Sequence, residues 1–265
     1  GCGHLAGLML AACGDAVGSV PLARWNLDEE LRNIGEAHPF SDAQIRGASH
    51  GSFVAGAHLF DNGAFYISAA EAAAMDPQQR LLLEYGYDAL HGAELRRLQL
   101  EGSDGATFVG MEAPDWFAVK ARLPIRSSFG IGDPISVGSG RLSFVLGLHG
   151  PCKTMDTACS SGLCAAHGAA SSMWNSESQF ALGSGVSLKL QPIGALFLVS
   201  AGTVSADGRC KTFDARANGY ARAEALGALV LSYSAQGLLS SVALSIVVRH
   251  DGRSASLTAP TGAAQ

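Results

Sequence analysis

The chain has 265 residues, 48% hydrophobic and 15% charged, a length that suits one large domain, or one and a half smaller ones, with a sizeable buried core. Its net charge is −5, with four lysines and fourteen scattered arginines, so no basic footprint for nucleic acid is visible. It holds no run of eighteen apolar residues, and no membrane span is implied.

The charged fraction lies below the usual value of about 25%, and the 33 glycines exceed the usual share of about 7%. Low charge and many small residues point to closely packed layers. The six cysteines are Cys2, Cys13, Cys152, Cys159, Cys164 and Cys210. No two are spaced Cys-x-x-Cys and none joins a histidine at zinc spacing, so free thiols in a reducing compartment are expected, cytoplasmic or organellar. The stretch Gly1 to Gly14 is apolar but has no basic leader, and a chain that begins without Met is expected to be a fragment.

In chain order, residues 1–60 are mixed and turn-rich. Asp28 to Arg32 opens a short helix that His38-Pro39 should stop. Ser68 to Ala93 is the clearest helical stretch. Ser68 and Glu71 have capping-box spacing, and Asp76-Pro77 fits a second start, with Asp as N-cap and Pro in the first turn. Leu81, Leu82, Tyr85 and Leu90 then mark one apolar side. Ala106 to Gly110 and Lys153 to Asp156 read as strands, the second running into an Ala- and Ser-rich helix from Ser160 to Trp174. Phe180 to Leu188, Glu224 to Ser232 and Val242 to Val248 read as further strands of buried type. Strands separated by helices predict an α/β fold. Ser232 to Ser241, small and polar between two apolar runs, marks a boundary between residues 1–241 and 242–265.

Asp156-Thr157-Ala158-Cys159-Ser160-Ser161-Gly162 lies where a strand meets a helix. At a helix N-terminus a cysteine feels the positive end of the dipole and unpaired backbone N–H groups, which favour thiolate and can stabilise an oxyanion. The layout is that of a nucleophile elbow with Cys in place of Ser. Taken alone, the segment also fits a structural cysteine in a small-residue helix, the commoner setting for free Cys and the one expected for Cys164.

Several ordered blocks add to that segment. They are Phe60 to Ser68, Ala74 to Glu84, Gly140 to Pro151, Ser205 to Asp214, Gly219 to Arg222, Asp251 to Ser254 and Leu257 to Pro260. Together with Asp156 to Gly162 they resemble the β-ketoacyl synthase (ketosynthase) domain of type I polyketide synthases, over about residues 15–265. The resemblance implies a thiolase-like layered α-β-α-β-α fold, of which this chain holds the first half and the start of the second. Residues 1–241 would be the N-terminal domain, incomplete at its start because Gly1 to Ala12 matches the family's first strand poorly. Residues 242–265 would begin the C-terminal domain.

It further implies an acyltransferase in which Cys159 takes an acyl chain from the phosphopantetheine of an acyl carrier protein. That chain then condenses with carrier-bound malonyl by decarboxylation, in polyketide or fatty-acid synthesis. The partners implied are the carrier protein, malonyl and acyl thioesters and, when complete, a second copy meeting near Met155. No cofactor or metal of its own is implied. The family's decarboxylation step uses two histidines in later motifs. The eight here (His4, His38, His50, His58, His91, His149, His167 and His250) stand in none of them. His167 lies two turns beyond Cys159, about 12 Å along a helix axis, and reads as a packing or capping residue. His250 reads as a loop residue. Ala221-Arg222-Ala223-Glu224-Ala225 departs from the family's Val-Arg-Gly-Glu-Gly, which would strain the loop if those glycines take unusual dihedrals. A non-catalytic paralogue that only dimerises is the alternative reading.

Overall fold

The computed structural model describes residues 14–35, 40–121, 132, 134–233, 245–250 and 252–256. The predicted features at residues 1–12, at His38-Pro39 and at 242–244, with Asp251 and 257–260, lie outside them. Residues 245–248, the remainder of the last predicted strand, carry no secondary structure.

Helix α1 (Leu27–Ile34) forms where the acidic run predicts it. The Asn26 side chain accepts the Glu29 N–H, three acids face the dipole in the first turn, and Gly35 at φ 91° ends it. Helix α2 (Asp42–Ala48) starts on a reciprocal Ser41/Gln44 capping box. It is followed by a two-residue ladder between β1 (Gly18–Ser19) and β2 (His50–Gly51).

The stretch Ser68 to Ala93 divides into α3 (Ala69–Ala74) and α4 (Pro77–Gly92). Pro77 drives the residue before it out of helical geometry, and the Asp76 carboxylate caps the Gln78 N–H at 2.8 Å. Only half of the predicted capping box forms. The Ser68 hydroxyl accepts the Glu71 N–H, but the Glu71 carboxylate reaches across to Arg141 at 2.6 Å. Helix α4 is also more deeply set than an amphipathic reading allows. Pro77, Gln78, Gln79, Leu81, Leu82 and Leu83 are all buried, which encloses its first turns on every side, while Tyr85 is half-buried. A short helix α5 (Arg97–Leu100) leads on to the main sheet.

That sheet comprises β3 (Ala106–Met111), β4 (Cys152–Met155), β5 (Phe180–Ser187) and β6 (Ala225–Ser232) in the order β4-β3-β5-β6. Strand β3 runs parallel to β4 and β5, and β6 antiparallel to β5. Between them come α6 (Trp116–Lys120), α7 (Ser136–Leu146), α8 (Ser161–Trp174) and α9 (Ile193–Ser200). Strand alternation sorts the core. Val109, Met111, Leu182 and Val186 face α4 and α7, where Leu82, Leu90 and Leu142 close one cluster. Ala106, Phe108 and Ala181 face α8 and its Ala165, Ala169 and Met173. The result is an α-β-α sandwich, with Leu31, Ala195, Leu196 and Val199 in a satellite cluster that ties α1 and α2 to α9.

Strand β6 corrects its predicted buried character. Leu226, Ala228 and Val230 pack on the α4 side, whereas Leu229 is 43% exposed on the α8 side. Helix α8 sits over β3 and β5, so that face of β6 is only partly covered, with Leu231 packed against the α8 cluster. Glu224, just before β6, is a buried polar anchor. Its carboxylate accepts from Arg24 at 2.8 Å and from the Val54 and Lys189 N–H groups at 2.8 and 2.9 Å. The flanking alanines are unstrained, because neither Ala223 nor Ala225 takes a positive φ.

Candidate active site

Strand β4 leaves the sheet through Asp156-Thr157 and makes a single 3-10 turn, Ala158–Ser160, before α8 begins at Ser161. Cys159 therefore sits one turn ahead of the α-helix rather than inside its first turn, and it is exposed. Ala158 takes φ 54°, a left-handed conformation that disfavours any residue with a Cβ.

Three side chains hold the turn. The Asp156 carboxylate accepts the Ala158 N–H at 3.0 Å. The buried Ser161 hydroxyl accepts the Thr157 N–H at 2.8 Å and donates to the Ala158 carbonyl at 2.7 Å. The Ser160 hydroxyl donates to the Thr157 carbonyl at 2.8 Å. Among the described residues the Cys159 N–H has no hydrogen-bond acceptor. From below, Gly110 lets β3 press against the helix start. A Cβ there would lie 2.4 Å from the Ser161 carbonyl carbon.

Cys159 opens onto a cavity of about 570 Å³ at the C-terminal ends of β3 and β5. Its apolar part includes Met111, Val186 and Leu198, and its polar part Glu112, Ser187, Lys189 and Arg222. Lys189 pairs with Glu112, and Ser187 bonds both. Burial would push the Glu112 carboxyl up, but the Lys189 ammonium, the Ser187 hydroxyl and the nearby Arg222 guanidinium together hold it below its ordinary value. A negative carboxylate therefore stands in the same cavity as the thiol. Of these four polar residues, Arg222 stands in a block that the sequence singles out, while Glu112, Ser187 and Lys189 are not picked out by sequence reasoning. Counting by twos along a strand would find two of them, because Glu112 follows Gly110 and Ser187 follows Gly185 onto the face that carries α8.

His167, His250 and Cys164, also weighed from the sequence, do not line this cavity. His167 is half-buried in α8, and His250 is exposed and accepts the Gly252 N–H at 2.8 Å. Cys164 is half-buried and accepts from the Thr157 hydroxyl at 3.3 Å. In the block from Ser205 to Asp214, the Lys211 ammonium, then the Ser205 hydroxyl and the Asn218 amide, hold the Asp207 carboxyl far below the usual carboxylate range. No group of three or more His, Cys, Asp or Glu side chains among the described residues could hold a metal ion. No helix among them is long and apolar enough to cross a membrane.

Residues 8–236 match the sequence pattern of the β-ketoacyl synthase N-terminal domain. The chain is 36% identical over 263 residues to a phenolphthiocerol/phthiocerol polyketide synthase of Mycobacterium tuberculosis H37Rv, an overlap of 97% of this chain and 17% of that protein. It is 39% identical over 260 residues to the erythronolide synthase EryA3 of Saccharopolyspora erythraea, covering 95% of this chain and 8% of the relative. The chain thus spans less than a fifth of the length of these relatives. Among solved structures it is similar to a ketosynthase from module 6 of the bacillaene synthase of Bacillus subtilis 168, at TM-score 0.69 and 30% identity, over 85% of this chain and 36% of the other. A ketosynthase domain of oxazolomycin from Streptomyces albus JA3453 aligns at TM-score 0.67 and 28% identity, over 82% and 38% of the two chains.

Proposed function

This chain belongs to the β-ketoacyl synthase family, with polyketide synthases as relatives and a thiolase-like fold, and we propose that it carries the acyl-accepting half of a condensing reaction with Cys159 as nucleophile. The Cys159 sulfur attacks the carbonyl carbon of an acyl thioester borne on the phosphopantetheine of an acyl carrier protein. The old C–S bond breaks, the pantetheine sulfur takes the proton given up by the cysteine, and the acyl group remains on Cys159. The negative oxygen formed on the way meets the unclaimed Cys159 N–H and the positive end of α8.

The observation that carries the reading is this held turn, with a left-handed Ala158 and a free amide at the mouth of a cavity. The decarboxylative step on malonyl is assigned to the whole family enzyme, because none of the eight histidines of this chain stands in a motif for it. Residues 1–241 are proposed as the N-terminal domain and 242–265 as the opening of the next. Intact mass after incubation with hexanoyl-N-acetylcysteamine tests the proposal. One hexanoyl group should add to the chain and to Cys210→Ala, and none to Cys159→Ala. Equal labelling of Cys159→Ala would refute the assignment, and no labelling of the parent chain would favour a scaffold that only dimerises.

A further inference from the structure

We propose that Glu112, Ser187 and Lys189, with Arg222 beside them, form a subsite that recognises a hydroxyl group on the acyl chain held by Cys159. The inference rests on the nucleophile reading and adds a substrate class to it.

Position comes from the strands. Gly110 and Gly185 are register partners, and both face the start of α8. Two residues further on, about 6–7 Å along each strand, Glu112 and Ser187 face the same side. The Ser187 hydroxyl donates to one Glu112 oxygen at 2.9 Å. The Lys189 ammonium pairs with that same oxygen and donates to Ser187 at 2.6 Å. All three line the cavity that contains Cys159. An acyl chain held on Cys159 extends into the cavity that these residues line.

Chemistry decides what the subsite takes. An ammonium has three donors, of which Lys189 uses two on Glu112 and Ser187, and a carboxylate has a second oxygen, for which Glu112 has no partner among the described residues. Lys189 thus keeps one donor and Glu112 one acceptor, on two side chains already paired with each other. A hydroxyl, which both donates and accepts, satisfies the pair. A saturated chain in the same place would cover both groups and satisfy neither. The Lys189 ammonium first, then the Ser187 hydroxyl and to a smaller extent the Arg222 guanidinium, hold Glu112 ionised against its burial, so the spare oxygen stays an acceptor.

The experiment compares Cys159 acylation by hexanoyl- and 6-hydroxyhexanoyl-N-acetylcysteamine on the full chain, followed by intact mass over time. The hydroxylated probe should react about three- to tenfold faster. In Lys189→Met/Glu112→Gln, which removes both charges together, that ratio should fall to near one. Equal rates in the parent chain, or faster reaction of the saturated probe, would overturn the subsite and leave the nucleophile standing. If neither probe labels Cys159, the nucleophile reading itself fails. The parent ratio alone decides the point should the double variant not fold.

Discussion

The turn around Cys159 depends on one hydroxyl. Ser161 satisfies the N–H of Thr157 and ties the carbonyl of left-handed Ala158, so it spans the nucleophile from both sides. Ser161→Ala leaves that N–H and carbonyl without their partner, at a cost of about 1–3 kcal/mol. The turn relaxes toward an ordinary φ at Ala158 and swings the thiol away. Cys159 acylation should slow by about tenfold. A purely structural loss would not be undone by glycine at residue 158, whereas a positioning loss would. Ala158→Gly removes the left-handed penalty of about 1–2 kcal/mol and should restore much of the rate in the double variant. An unimproved rate in Ala158→Gly/Ser161→Ala would show that Ser161 does not act through this turn. Cys159 is legible in the sequence because its surrounding motif is contiguous. The role of Ser161 is not, since a hydroxyl two residues after a cysteine has no periodicity to betray which carbonyl it will meet.

Among the elements, the helices and strands follow local chemistry closely. Asn26, Ser41 and Asp76 begin helices where their side chains can cap. The strands from Ala106, Cys152, Phe180 and Ala225 lie within a residue or two of their apolar runs. What local reasoning misses is set by distant partners: Glu71 leaves its box for Arg141, and Glu224 joins segments 170 and 200 residues apart in sequence. Glu224 makes the sharpest case. Its side chain is wholly buried and Arg24 is 15% exposed, so removing the carboxylate leaves two N–H groups without their acceptor and the guanidinium without its counter-charge, with only the Val54 carbonyl still accepting from it. Glu224→Ala should cost about 3–5 kcal/mol, the usual penalty for breaking a buried pair from one side. Glu224→Gln, which keeps an acceptor, should cost less. Urea unfolding midpoints of the two variants measure the difference, and equal, small shifts would show that the anchor contributes little.

At the scale of the whole molecule the sandwich is closed on its α4 and α7 side and open at its margins. Among the described residues the outer edges of β4 and β6 have no paired strand. Near β4, Phe144 is 87% exposed on α7 and Leu163 60% exposed on α8, large apolar groups beside unpaired backbone. Such an edge is a template for another strand, and a second copy of the same strand related by a two-fold axis satisfies it without leaving a new edge. As the family resemblance implies, we propose that a second copy pairs along β4, the strand that leads directly into the Cys159 turn. Sedimentation should show a concentration-dependent dimer that persists in high salt, since apolar burial and backbone pairing are little screened. A lysine on this strand, Met155→Lys, places like charges opposite one another across the axis and should weaken the dimer by at least tenfold. Leu229→Lys on β6 is the control that keeps the two edges distinct. If Leu229→Lys dissolves the dimer and Met155→Lys does not, the contact lies at β6 and the Cys159 turns of two copies do not face a common axis. If Met155→Lys alone dissolves it, the β4 edges pair, and they carry the two Cys159 turns to either side of the axis.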